Sequence, residues 1–359
     1  MTFSGGQARG GEARSLLTPP KVVAGDRIAV VSPSWAGPGV FPEVHEIGLR
    51  VLTEVLGLEV VEYPTTRQLG ASPVERARDL NAAFEDPDIG AILATIGGSD
   101  QITVLPLLDQ EVIRANPKPF LGYSDNTNLL NFLWRLGIVS YHGGSTMVQL
   151  ARAGGVHHDF LDSLRRALFT NDTVEIAPLE RFTDLQSEWG DLSTLVEPLA
   201  TTPEAGWHWY NADRTVSGPT WGGNLEILHW NLAANRWIDS NSTYSGCVLM
   251  LETSEEMPSS DVVYRMLRDA GERGLLSQFP AVIFAKAKAW HTHAPLDESQ
   301  RAAFRDDQER AVLRALYEYN PSALSVFGPD FGHTDPQVIL PYGGQMTVDG
   351  PARTITVTY

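Results

Sequence analysis

The chain has 359 residues, enough for two compact domains with a sizeable apolar interior, and a cleft between such domains is a natural binding site. Its 27 Lys and Arg stand against 44 Asp and Glu, and a net charge of −17 repels a phosphate backbone and argues against nucleic acid as a partner. The single cysteine, Cys247, leaves no internal disulfide framework and no cysteine-based zinc site, which favours a reducing, cytoplasmic compartment.

Residues 1–18 lack the apolar core of a signal peptide and read as a disordered tail. No window approaches the run of about 20 apolar residues that a membrane helix requires, so no membrane partner is expected. From residue 19 to 179 short β-rich runs alternate with helical patterns, the signature of an α/β domain built on a parallel sheet. The predicted strands are Arg27–Ser32, Leu58–Tyr63, Ile89–Ile96, Pro119–Tyr123 and Val139–Tyr141. Between the second and third, Pro73–Phe84 spaces Ala77, Leu80 and Phe84 as one face of an amphipathic helix.

Residues 180–220 lose the alternation and read as a connecting or cover segment. A second domain, 221–359, opens with a helix from Asn224, followed by a strand at Cys247–Glu252 and a helix at Asp261–Ala270. A strand at Ala281–Phe284 and a long helix near Pro295–Tyr319 come next. Short β segments at Ala323–Phe327, Gln337–Leu340, Gln345–Val348 and Thr354–Thr358 close the chain.

Ser124 lies in Gly122-Tyr-Ser-Asp-Asn126, after an apolar strand and before the helical run Leu129–Trp134. A serine on such a turn is held outward, with backbone N–H groups and a helix dipole aimed at a developing oxyanion. An ordinary helix N-cap gives the same local pattern, and position five is Asn126 where an α/β-hydrolase elbow has glycine. Thr95-Ile-Gly-Gly-Ser-Asp100 ends another strand with two glycines, which permit either close backbone approach to a ligand or a plain tight turn. Gly37-Pro-Gly39 lacks the third glycine of a dinucleotide fingerprint.

Glu252 stands at the end of an apolar strand and opens Glu-Thr-Ser-Glu-Glu256, whose other glutamates read as solvated helix-entry charges. His333 sits in the glycine-rich loop Phe327-Gly-Pro-Asp-Phe-Gly-His-Thr-Asp335 and is poised to titrate near neutrality. The pairs His157-His158 and His291/His293 read as a helix entry and a surface loop, and His208 and His229 as packing or substrate-facing groups. No metal site is predicted.

Taken in order, Val31-Ser-Pro-Ser34, Glu75–Phe84, Ile96-Gly-Gly98, Gly122-Tyr-Ser-Asp125, Trp221-Gly-Gly-Asn-Leu225, Leu251-Glu-Thr-Ser-Glu-Glu256 and Gly332-His333 resemble the LD-carboxypeptidase family. Within it they resemble the microcin-immunity branch, through Glu-Thr-Ser-Glu-Glu where the muropeptide-cleaving branch tends to carry Glu-Asp. The resemblance implies an N-terminal flavodoxin-like α/β domain, a smaller C-terminal domain of β-barrel character with helices, and a homodimer. It further implies a Ser124, Glu252, His333 triad, oxyanion donors at the backbone N–H groups of Gly98 and Asp125, and Asn224 in the substrate cleft. Trp189 matches an aromatic that stacks on adenine, with Trp207 and Trp209 as rivals. Ala285-Lys-Ala287 departs from the usual Gly-Arg-Pro, which bears on the substrate side of the cleft.

The expected function is therefore that of a serine peptidase or amidase, free of cofactors, that hydrolyses the amide bond of aminoacyl nucleotide compounds and confers antibiotic resistance. A muropeptide LD-carboxypeptidase of peptidoglycan recycling is the alternative enzyme. A non-catalytic small-molecule binding protein is the alternative of another class.

Overall fold

Apolar runs separated by helical crossovers build the first layer of a computed structural model, which describes residues 16–291, 293 and 295–359. Strands β1 (Arg27–Val31), β2 (Glu59–Glu62), β3 (Ile89–Ala94), β4 (Phe120–Gly122) and β5 (Ser140–His142) are parallel, in the order β5-β4-β3-β1-β2. That is a flavodoxin-like order. Helices α1 (Pro42–Arg50), α2 (Pro73–Glu85), α3 (Gln110–Ala115) and α4 (Thr127–Leu136) make the crossovers. Strand β3, IGAILA, is a continuous apolar run because both of its faces are covered.

Helix α2 begins where its cap dictates. The Ser72 side chain accepts from Glu75 N, Glu75 returns a bond to Ser72 N at 2.8 Å, and Pro73 occupies the first turn. Its Ala77, Leu80, Ala83 and Phe84 are buried, at about 1.5–3 kcal/mol for a side chain the size of Phe84.

After α5 (His158–Phe169), the second layer contains β6 (Thr173–Ile176), a two-stranded ribbon of β7 (Arg181–Phe182) and β8 (Thr202–Pro203), β9 (His208–Tyr210) and β10 (Thr215–Asn224). It continues through α6 (Leu225–Ala233), β11 (Val248–Glu252), α7 (Ser260–Glu272), β12 (Ala281–Phe284), α8 (Glu298–Tyr319) and β13 (Leu324–Phe327). Strands β14 (Leu340–Tyr342), β15 (Gln345–Asp349) and β16 (Thr354–Thr358) follow, of which β15 and β16 belong to this layer. The sheet order is β6-β16-β15-β10-β11-β12-β13-β9, with β10 to β13 parallel and the flanks antiparallel. The fold is thus the mixed α/β class expected. Among the described residues no helix is long and apolar enough to cross a membrane.

The sheets do not divide where the sequence suggested. Strand β6 lies before residue 180 yet pairs with β16, and β14 leaves the second layer to pair antiparallel with β5 at the edge of the first sheet. Strand β10 starts at Thr215, inside the expected cover segment, because Val216 and Gly218 already alternate inward. The expected strand Gln337–Leu340 begins only at Leu340. The Gln337 side chain instead tethers the preceding turn, donating to Gly332 O at 2.8 Å and accepting from Gly144 N at 2.9 Å. Most of the expected 1–18 tail is outside the described residues, but Leu17 bridges Ile138 and bonds Gly137 O at 2.8 Å.

Gly222 adopts a φ of +140°, and a Cβ there would stand 1.9 Å from Met250 O on the neighbouring strand. Gly222→Ala is therefore expected to destabilise the protein by about 3 kcal/mol or more, read as a lower denaturant midpoint. An unchanged midpoint would show that β10 and β11 can separate without cost.

Candidate active site

Strand β4 ends at Gly122, and the chain turns so sharply that Ser124 takes a φ of +60°, a left-handed conformation costing about 1–3 kcal/mol in a non-glycine residue. The neighbours hold it there. Asp125, 1% exposed, accepts from Ser34 Oγ at 2.5 Å, Gln101 N at 3.0 Å and Asn128 Nδ2 at 2.8 Å. The Asn126 side chain donates to Tyr123 O at 3.1 Å and Ile96 O at 3.2 Å and accepts from Gln101 Nε2 at 2.8 Å. A Cβ on Gly122 would meet Asn126 Cβ at 2.9 Å, so the first glycine of the turn makes room for the asparagine at position five. Gly97 is equally constrained, since its Cβ would fall 2.9 Å from Ser124 Cβ.

Across the cleft, Glu252 ends β11 with 0% exposure, and its Oε2 lies 2.5 Å from His333 Nδ1. The other imidazole nitrogen, Nε2, faces Glu255 Oε2 at 3.1 Å. Burial alone would push the His333 imidazolium down, but the charges of Glu252 and Glu255 outweigh it and hold its pKa up to about 10. Glu255 is held correspondingly low, at about 2: burial raises it and the His333 charge overcomes that. In this arrangement His333 is a protonated, doubly paired cation. No hydrogen bond joins Ser124 Oγ to His333 among the described residues, although both line one cavity of about 550 Å³.

Gly98 and Trp189 line the same cavity. Gly98 N–H has no internal acceptor among the described residues, leaving it open to a ligand. Trp189 packs edge-on against Phe41 at 5.6 Å, and Trp35, 38% exposed, adds a second indole to the wall. Trp207 and Trp209 pair with each other at 6.3 Å away from this lining. Asn224, expected in the cleft, is instead 1% exposed and outside the lining. It caps α6 by accepting from Ile227 N at 3.0 Å, with its Nδ2 unpartnered, on the register position beside Glu252.

Behind Glu252 stands His142 at the end of β5, its Nε2 3.9 Å from Glu252 Oε1 and neither ring nitrogen hydrogen-bonded among the described residues. Burial pushes its pKa down to about 4, against the pull of Glu252, so it is neutral at pH 7. His157, His158 and Asp159 are the one group with metal-ligand spacing among the described residues, but His157 is the α5 cap, accepting from Asp159 N at 3.3 Å. Lys286, in the departing Ala-Lys-Ala segment, is locked between Glu204 and Asp330 Oδ1, the latter at 2.6 Å, with its ammonium 4.0 Å above the Phe182 ring.

Residues 28–143 match the LD-carboxypeptidase N-terminal domain and residues 217–348 its C-terminal domain, so the matched segments take in nearly all of the first sheet and the β10 to β13 and β15 strands of the second. The chain belongs to the LD-carboxypeptidase family, a family of peptidases. One relative is the microcin C7 self-immunity protein MccF of Escherichia coli, 26% identical over 290 residues, spanning 79% of this chain and 78% of MccF. The murein tetrapeptide carboxypeptidase of Pseudomonas aeruginosa is 35% identical over 123 residues, which are 33% of this chain and 38% of that protein. A structure of MccF in complex with aspartyl sulfamoyl adenosine superposes with a TM-score of 0.80 at 22% identity, covering 96% of this chain and 98% of that one.

Sequence reasoning missed Glu255, Lys288 and Trp35, all of which line the cavity. Glu255 was legible in principle as the next carboxylate along the loop from Glu252, and Lys288 as a cation just past the carboxyl end of β12.

Because Glu255 helps to hold the His333 proton, Glu255→Gln should lower the His333 pKa. The ring resonances followed by NMR across pH 5–11 should show a midpoint about one unit or more below that of the parent protein. An unmoved midpoint would mean that Glu252 alone sets the charge.

Proposed function

We propose that this protein is a serine peptidase or amidase that cleaves the amide bond of aminoacyl nucleotide compounds, with Ser124 as nucleophile, His333 as base and Glu252 as its orienting carboxylate. The observation that carries the reading is the buried Glu252–His333 contact of 2.5 Å facing the same cavity as a serine held at a φ of +60°. Glu255 must first take the Nε2 proton and move aside, which leaves the imidazole neutral and its Nε2 lone pair free. His333 then takes the Ser124 Oγ proton as Oγ attacks the amide carbonyl, and the backbone N–H groups of Gly98 and Asp125 receive the oxyanion. Protonated His333 delivers that proton to the departing nitrogen, and water, activated by the same imidazole, releases the acyl group. None of these steps calls for a metal or an organic cofactor.

The nucleotide preference is supported by the two indoles of Trp35 and Trp189 on the cavity wall and by the kinship with MccF, whose structure holds aspartyl sulfamoyl adenosine. The muropeptide reading draws on the murein tetrapeptide carboxypeptidase relative. A cytoplasmic homodimer completes the proposal.

Purified protein incubated with an aminoacyl sulfamoyl adenosine panel and a muropeptide panel tests the assignment directly. Turnover of the first set supports it, turnover of muropeptides alone moves the activity to peptidoglycan recycling, and binding without turnover favours a non-catalytic role. Ser124→Ala should fold normally and lose nearly all turnover, whereas Glu252→Gln should lose a factor of about 10³ to 10⁴ in rate. A fully active Ser124→Ala variant would remove the serine from the mechanism.

Stacking of a base on an aromatic is worth about 1–3 kcal/mol. Trp189→Ala should therefore raise KM for the nucleotide substrate about tenfold or more while changing kcat little, since the contact is distant from the reacting carbonyl. A drop in kcat with unchanged KM would place Trp189 in the chemistry instead.

A further inference from the structure

Lys288 lies just beyond β12, and its side chain lines the cavity that Ser124 and His333 share, yet the residue is only 8% exposed. Among the described residues its ammonium makes no hydrogen bond and has no carboxylate within 4.0 Å. Three acids surround it at longer range, Glu255, Asp184 and Asp335, and each is engaged elsewhere. Glu255 faces His333 Nε2 at 3.1 Å. Asp184 accepts from Arg305 and from Ala289 N at 2.9 Å, and Asp335 accepts from Arg152 Nε at 2.6 Å.

A buried ammonium without a counter-ion is costly, and burial pushes the Lys288 pKa below its usual value. The other buried lysine of this loop, Lys286, has two carboxylates for itself, so the fold supplies counter-ions where it needs them. Lys288 is instead directed at the open space beside the Glu255–His333 pair. In amide hydrolysis by a serine and a histidine, the imidazole Nε2 hands its proton to the departing nitrogen, so groups beside Nε2 neighbour the leaving group.

We infer that Lys288 is a specificity-determining residue that receives an anionic oxygen group carried by the substrate next to its scissile nitrogen. The inference rests on the amidase reading for the word scissile, but not for the anion site itself. Two sources share the chemistry. One is the free α-carboxylate of a terminal amino acid, and the other is the oxyanion of a sulfamate or phosphoramidate that joins an aminoacyl group to a nucleoside. A substrate neutral at that point leaves the ammonium unpaired and forgoes the contact.

The test uses Ser124→Ala protein, which holds ligands without consuming them, and calorimetry with two matched pairs. One pair is a muropeptide ending in D-alanine and the same peptide as its C-terminal carboxamide. The other is aspartyl sulfamoyl adenosine and 5′-aspartylamino-5′-deoxyadenosine, whose linkage is neutral. At least one anionic ligand should bind tenfold or more tightly than its neutral partner, and which pair shows this identifies the source of the anion. Adding Lys288→Met should erase the difference by weakening the anionic ligand alone, and Lys288→Arg should retain part of it. Denaturation midpoints of the variants check that each is folded. A preference that survives Lys288→Met overturns the inference, as does the absence of any preference, including failure of both anionic ligands to bind. Turnover of the same four compounds by the unmodified protein decides the amidase reading separately. Lys288-dependent discrimination without hydrolysis sinks the amidase reading and leaves the anion site, and hydrolysis indifferent to Lys288 does the reverse.

Discussion

A carboxylate with no solvent access cannot stay ionised without a partner, and the 2.5 Å contact between Glu252 and His333 answers that requirement for the whole centre of this molecule. The contact joins the end of β11 to the loop after β13, so His333 sits on the second sheet while Ser124 sits on the first. Their relative position is fixed by a row of buried bonds between α4, which directly follows the serine turn, and the β10–α6 corner. Asn224 N donates to Thr127 Oγ1 at 3.0 Å, Trp221 Nε1 to Asn131 Oδ1 at 2.9 Å, and Asn231 Nδ2 to Asn128 Oδ1 at 2.9 Å. Asn224 belongs to this bracing, which accounts for its burial: it orients the second layer against the helix that follows the Ser124 turn.

Charge is distributed unevenly around that centre. His142 is kept neutral at the back of Glu252, which spares the carboxylate a second cation and leaves His333 as its sole close positive partner among the described residues. Lys286 shows the opposite treatment. Its compact ammonium meets Glu204 and Asp330 as a point charge, and burial raises the Asp330 pKa to about 6 against the lysine's pull. The Lys286 cation thus serves the wall of the fold.

Much of this was written in local sequence. The parallel strands showed as apolar runs, α2 as a capped amphipathic pattern, and Ser124, Glu252 and His333 as polar residues at the ends of strands or in a glycine-rich loop. What local pattern could not carry was pairing between distant segments. Nothing in Leu340–Tyr342 says that it joins β5, and Thr173–Ile176 does not announce a partner at the far end of the chain. The same limit hid Glu255: a run of glutamates reads as solvated, and only the loop's return past His333 turns one of them inward. The helix start at Asn224 was legible, but its placement in the cleft came from the family resemblance alone, and the side chain is buried as the cap of α6.

The exchange of strands has a consequence for synthesis on the ribosome. The first sheet carries the Ser124 turn and, β14 apart, is built from residues 27–142, but its edge at β5 stays open until residues 340–342 arrive to cover it. Until then a row of unpaired peptide groups is available to any passing strand, including that of another nascent chain. The serine turn can form early, but the sheet that supports it is sealed only once residues 340–342 have been made, so a chain stopped before them leaves the β5 edge uncovered.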